Sequence, residues 1–298
     1  MLDFLYLKYF CDAVKLGGIT AAAKANFVTQ SAVSQGISKL EGLLGYPLLA
    51  RHPNRFRLTP AGEKAFQEMS ELLKRTQSMQ ENLAGIGSAL IGGLEFACTF
   101  SFALSLLPSY LREFQRAHPS VKINVKLSGN YDEIRQLLTV GVIDFAILKK
   151  PPDFSGFDEI PLFESEFGLF CSPDYDVKNH AFILAEPEET LPFKEAYFRK
   201  YKKEPAVLLE ARSWIVAAKF AEEGLGIGYF PEYITHGREK FLIRCEKALK
   251  LPSFQMSAVY LKGMRLRKSS EIFLSLLTSS MPDARNGVFD FHAESKRK

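Results

Sequence analysis

The chemistry in this sequence is concentrated in a run of short polar side chains: Thr29, Gln30, Ser31, Ser34, Gln35 and Lys39. Glutamine, serine and threonine carry donors and acceptors suited to base edges, and lysine carries a cation for phosphate oxygens. Set on one helix face, they could read a duplex groove. Arg51, Arg55 and Arg57 follow closely and could grip a sugar-phosphate backbone. Val33, Ile37, Leu40 and Leu44 recur at spacings of four, three and four, which puts an apolar stripe on the opposite side. On these residues alone the polar face has two readings, a base-reading surface or an ordinary solvated helix face.

The elements that must position these side chains follow from local signals. Thr29 is a good N-cap, so the helix starts at Gln30. A shorter helix with Ala21, Ala22 and Ala23 precedes it across a tight break at Asn26 to Val28, and the alanines permit close helix approach. Gly45 and Pro47 end the polar-faced helix. Leu48-Leu49 and Phe56 to Leu58 read as two short strands joined by a turn at Pro53-Asn54, with the three arginines on that small wing. Thr59 then caps a helix with Pro60 at its first position. Met69, Leu72, Thr76, Met79, Leu83, Ile86 and Leu90 form a heptad seam, to be covered by a second subunit's helix or by an intramolecular partner. Gly92-Gly93 is the expected end of that helix and the hinge beyond it.

The runs Thr29-Gln30-Ser31-Ala32-Val33-Ser34, Ile37-x-x-Leu40-Glu41-x-x-Leu44-Gly45, Pro47-Leu48-Leu49-Ala50-Arg51 and Leu58-Thr59-Pro60-Ala61-Gly62 resemble the winged helix-turn-helix of the LysR-type transcriptional regulators. The chain departs from that pattern at Ser31, for the usual proline, and Leu49, for the usual phenylalanine. The resemblance implies double-stranded promoter or operator DNA as partner, a homodimer through the 60–90 helices, and tetramers in most members. It also implies a small-molecule effector that changes the angle between dimers and so the recruitment of RNA polymerase.

Composition fits this. Residues 1–62 hold seven Lys/Arg against three Asp/Glu, while the remainder holds 31 of each, so the whole excess of +4 sits on the DNA-binding end. Cys11, Cys98, Cys171 and Cys245 are far apart, with no Cys-x-x-Cys, which reads as isolated buried thiols in a reducing cytoplasm. A redox pair such as Cys98 with Cys171 stays open. No metal, cofactor or membrane association is expected: no basic leader is visible, and apolar runs such as Phe96 to Leu107 are too short to span a bilayer.

Beyond Gly92-Gly93 strands alternate with helices. The expected order is a strand over 94–98, a helix over 102–118, a strand over 121–127, a helix over 131–140 and a strand over 144–148. This βαβαβ order implies a parallel sheet. A similar unit follows: strands near 166–171, 182–185, 206–209 and 226–230 with helices near 193–203 and 213–223. A returning strand over 256–261 and a helix over 269–277 close it. Two such lobes resemble the effector-binding domain of the same family, itself similar to periplasmic solute-binding proteins. Landmarks are Leu106-Leu107-Pro108, Gly141-x-x-Asp144-Phe145-Ala146-Ile147 and Gly224-Leu225-Gly226-Ile227-Gly228. The division expected is 1–59 for the DNA-binding domain, 60–91 for the linker helix and 92–280 for the effector domain. In the latter, lobe I takes about 92–163 and 266–280, lobe II about 164–265, and residues 281–298 form a disordered tail.

In open α/β sheets ligands sit at the carboxyl ends of strands against helix N-termini. Thr99, Ser101, Ser128, Asn130 and Lys149 follow the first three strands, and Arg212, Ser213 and Trp214 open a helix of the other lobe. Hydroxyls and amides there favour a small organic anion, with Trp214 as a wall. Equally, Thr99, Ser101 and Ser213 could be plain helix caps and Trp214 core. Catalysis has little support: Gly224-x-Gly226-x-Gly228 lies between a helix and a strand, the reverse of a dinucleotide loop, and the five histidines are dispersed. The competing reading is a solute-binding or enzymatic α/β protein whose N-terminal helices serve assembly. Non-specific architectural DNA binding is a third.

Overall fold

A computed structural model describes residues 3–50, 56–84, 90, 92–149, 154–185, 187–246 and 249–281. Three short helices build the N-terminal body: α1 (Phe4–Lys15), α2 (Ile19–Ala25) and α3 (Gln30–Leu44). Leu7, Phe10, Ala22, Val33, Ile37 and Leu40 form their common core. Helix α3 approaches α1 closely because Gly36 has no side chain: a Cβ there would lie 2.9 Å from the rings of Tyr6 and Tyr9. The α2–α3 turn closes through Phe27 N–H to Lys24 O (3.3 Å) and Val28 N–H to Ala23 O (3.0 Å), with Phe27 at φ 55°. For a residue with a Cβ that left-handed conformation costs about 1–2 kcal/mol.

A small antiparallel bridge follows, Leu49 against Leu58, with Ala50 N–H donating to Arg57 O (2.8 Å) and Thr59 N–H to Leu48 O (3.0 Å). The wing turn expected at Pro53-Asn54 lies outside the described residues. Helix α4 (Pro60–Ala84) starts where Thr59 Oγ1 accepts from Gly62 N–H at 2.9 Å. Gly62 is required there, since a Cβ would collide with the Leu48 carbonyl. Part of the heptad seam, Ile86 with the stretch 85–89, falls outside the described residues. Gly92 and Gly93, expected at the end of the helix, open strand β1 (Gly92–Cys98), paired with Val121 and Lys122.

After β1 the expected single helix is two, α5 (Phe100–Ser105) and α6 (Leu107–Ala117). The break at Leu106 has a physical cause: Pro108 has no N–H to continue the α5 ladder and sits instead in the first turn of α6. Then come β2 (Val121–Leu127), α7 (Tyr131–Thr139) and β3 (Phe145–Lys149). Strand β4 (Phe157–Cys171) is far longer than the six residues expected. It is followed by β5 (Ala181–Ala185), α8 (Pro187–Tyr201), β6 (Ala206–Ala211), α9 (Trp214–Glu222) and β7 (Ile227–Pro231). A short β8 (Ile243–Glu246), not foreseen, precedes β9 (Ser253–Leu261) and α10 (Lys268–Ser280).

Among the described residues the strands run in the order β2-β1-β3-β9-β4-β7-β5-β6, with β8 on β4. Strands β2, β1 and β3 are parallel, as are β6, β5 and β7, while β4 and β9 are antiparallel to each other and to their outer neighbours. The first part of β4 pairs with β9 and its last residues with β7 and β8, so β4 and β9 carry the chain between two α/β lobes. Helix α10 returns to the first lobe. Met281, the last described residue, is buried against the core, and the expected disordered stretch 282–298 lies outside the described residues.

Candidate nucleic-acid interface and effector cleft

Helix α3 divides its residues between two faces. Val33, Gly36, Ile37 and Leu40 are buried, whereas Gln30, Ser31, Ser34, Gln35 and Lys39 are exposed. Thr29 spends its hydroxyl on the cap, accepting from Ala32 N–H at 3.2 Å. Gln30 Nε2 donates to Thr20 Oγ1 (2.8 Å), which fixes the amide at the helix start, and Gln35 Nε2 donates to Ser31 Oγ (3.2 Å). Lys39 leans onto α1, its Nζ 3.5 Å from the Tyr6 hydroxyl and 5.6 Å from the ring centre. Arg57 is exposed beside the bridge; Arg51 and Arg55 lie outside the described residues. A residue not foreseen organises the junction: Glu41 Oε1 accepts from the N–H groups of Leu48 (2.7 Å) and Leu49 (3.1 Å), tying the wing's first strand to the back of α3.

The second set of candidates divides into two groups. Thr99 caps α5, its Oγ1 accepting from Phe102 N–H (3.4 Å) and lying 3.2 Å from Ser101 Oγ. Ser101 Oγ is 2.6 Å from the Tyr233 hydroxyl, a contact across the lobes between α5 and the 3₁₀ turn Glu232–Thr235. Ser128 Oγ donates to Glu133 Oε2 (2.6 Å) and accepts from Asn130 N–H (3.1 Å), while Asn130 Oδ1 caps Asp132 and Glu133. Those two side chains therefore spend their polarity on starting α7. Lys149 Nζ meets Glu189 Oε1 of α8 at 2.5 Å and lies 5.4 Å over the Phe254 ring. Trp214 stands edge-on to Phe167 (5.6 Å) and beside Phe254 (5.9 Å), with its indole N–H buried and without a hydrogen-bond partner among the described residues. Ser213 makes no side-chain cap, and Arg212 is exposed.

The structure thus brings Lys149 and Trp214 together around Phe254, and sets Ser101 against Tyr233 with Thr99 beside Ser101. Sequence could not supply Glu189, Tyr233 or Phe254, which are distant along the chain and carry no motif. Cys98 and Cys171 are both free and buried. Cys98 is buried in β1, and burial pushes its thiol up to about 12, as it pushes Cys11 to about 11. Cys171 lies beside Cys245 of β8, whose hydrogen bond draws the Cys171 thiol below its ordinary value. Among the described residues no cluster of three or more His, Cys, Asp or Glu is placed to hold a metal ion, and no helix is long and apolar enough to cross a membrane.

Comparison with known proteins follows the same two-part division. Residues 4–63 match the model of the bacterial regulatory helix-turn-helix protein, lysR family, and residues 88–282 match the LysR substrate binding domain. The HTH-type transcriptional activator IlvY of Salmonella typhimurium is 27% identical over 247 residues, covering 78% of this chain and 83% of its own length. Full-length LysG from Corynebacterium glutamicum, solved with bound effector Arg, superposes with a TM-score of 0.66 at 17% identity, over 96% of this chain and 99% of that one. Full-length CbnR, solved with its target DNA, reaches 0.52 at 18% identity, over 93% and 99%. With one model matched by the helix-turn-helix and another by the two lobes, this chain belongs to the LysR family of bacterial transcriptional regulators.

Proposed function

We propose that α3 enters the major groove of operator DNA with Gln30, Ser31, Ser34 and Gln35 against base edges. In this reading Thr29 sets the helix start near a phosphate, Lys39 and Arg57 meet the backbone, and Arg51 and Arg55 do so from the wing. The observation that carries it is the division of α3, with Val33, Gly36, Ile37 and Leu40 buried on one side and the hydrogen-bonding side chains Gln30, Ser31, Ser34, Gln35 and Lys39 in solvent on the other. Residues 1–59 then act as the DNA-binding domain, 60–91 as the dimerising linker and 92–280 as the effector domain. Exposed Leu72 and Met79 on α4 support pairing of two such helices. The protein acts in the cytoplasm as a dimer or tetramer, and no catalytic step is assigned to it.

The effector is proposed to bind between the lobes, near Thr99, Ser101, Lys149 and Trp214. The Lys149–Glu189 pair changes the expected ligand from a simple anion to a small zwitterion, whose carboxylate meets Lys149 and whose ammonium meets Glu189. An amino acid has that charge pattern, and LysG is a relative solved with Arg. The recognition reading is tested by gel shift. Gln30→Ala or Ser34→Ala should reduce the preference for cognate over scrambled duplex about tenfold or more, in line with about 1–3 kcal/mol per base-specific contact. Arg57→Ala should weaken both duplexes alike. Unchanged cognate preference in the Gln30 and Ser34 variants rules the assignment out.

A further inference from the structure

Phe27 is the residue that recognition by α3 alone leaves unexplained. Its side chain is 96% exposed, the highest value among the large hydrophobic residues described. Its backbone is left-handed, at φ 55°, in the position just past the α2 C-cap that glycine usually occupies. Two devices hold it there. The turn's own hydrogen bonds run from Phe27 and Val28 back to Lys24 and Ala23. The residue before it, Asn26, is clamped to the neighbouring helices: its Nδ2 donates to Asp12 Oδ2 (2.7 Å) and Ala22 O (2.9 Å), and Lys8 Nζ, itself 2.9 Å from Asp12, donates to Asn26 Oδ1.

Neither the strain nor the exposed ring stabilises the folded domain, and a glycine would relieve both. Strain of this kind persists where surrounding structure over-determines it, and it clusters at binding surfaces. Phe27 stands two residues before Thr29 and three before Gln30, at the chain's entry to the helix whose side chains are assigned to bases. The exposed cation nearest in sequence is Lys24, one turn back on α2, which suits an anionic partner. Deoxyribose is the apolar part of a DNA backbone, and an aromatic ring can cover it without a charge.

We propose that Phe27 is a further DNA-contact residue, its ring packed on the deoxyribose edge flanking the groove that α3 enters. This rests on the recognition reading of α3, and the experiment keeps the two apart. Phe27→Gly and Phe27→Asn, both compatible with a left-handed backbone, should unfold at the same or a higher temperature than the parent protein. Both should bind cognate and scrambled duplex about tenfold more weakly, the loss of one buried aromatic contact. The slope of affinity against salt should stay unchanged, because no phosphate contact is lost, and Phe27→Tyr, which keeps the ring, should bind like the parent. Parent-like DNA affinity in Phe27→Gly overturns the proposal, and if transcriptional output falls at the same time the ring faces a protein instead. If Gln30→Ala in the same assay loses cognate preference while Phe27→Gly binds normally, only the Phe27 assignment fails. If neither variant changes binding, the α3 reading fails as well.

Discussion

Lys149 changes meaning once its partner is known. By sequence it is a cation at the end of a strand, suited to an anion; in the fold it faces Glu189, forty positions away, over the Phe254 ring. A ligand that binds only through a carboxylate would have to break that pair, whereas a zwitterion replaces each half of it. Amino acids should therefore raise the unfolding midpoint of the full chain in a thermal-shift panel, while the matching desamino acids should not. At a hundredfold excess over Kd the stabilisation is about 2.7 kcal/mol. Lys149→Met should abolish the shift and leave the ligand-free midpoint close to the parent's, since the pair is part-exposed and worth little alone. A shift produced equally by simple carboxylates would refute the zwitterion reading. The caps Thr29 and Thr59 were legible because they act within three residues, and capping was one of the two readings of Thr99. Glu189 and Tyr233 were not, because nothing local marks the partner of a side chain 40 or 132 positions away.

Elements are fixed by a few contacts whose sequence traces differ in visibility. The Leu58-Thr59-Pro60-Ala61-Gly62 run was readable as a motif, and the fold gives its reason: Thr59 caps α4, and Gly62 lets the first turn of α4 sit on the Leu48 carbonyl. Asp144, within the Gly141-x-x-Asp144 landmark, was readable as a pattern but not as an interaction. Its Oδ2 receives Arg267 Nε at 2.6 Å and Ser270 Oγ at 2.8 Å, locking α10 onto β3 from 123 positions away. The carboxylate is 2% exposed, so removing it strands a largely buried guanidinium. Asp144→Ala should lower the stability of the full chain by about 3–5 kcal/mol in urea denaturation, the usual cost of breaking a buried pair on one side. A loss below about 1 kcal/mol would show that solvent already screens the pair. The split of α5 from α6 was in principle visible, since Pro108 breaks the ladder, but the apolar run across it imitates one helix. Strand β4 hid its length because it changes neighbours midway, so one periodic pattern never covers it.

At the scale of the molecule, two lobes share the β4 and β9 crossing strands, and their facing surfaces meet where Ser101 touches Tyr233. On the proposed reading, a ligand seated there would change the relation between lobes through those two strands, and α4 would carry the result toward the DNA-binding helices of a subunit pair. Every part of that chain of effects presupposes that α3 meets DNA by its polar face. The most direct measurement is photo-crosslinking from position 34. A cysteine replacing Ser34, carrying a short aryl-azide probe and bound to operator DNA, should crosslink to nucleobases at a fixed pair of positions related by the operator's two-fold symmetry. Crosslinks confined to protein, while the duplex remains fully bound, would contradict the account.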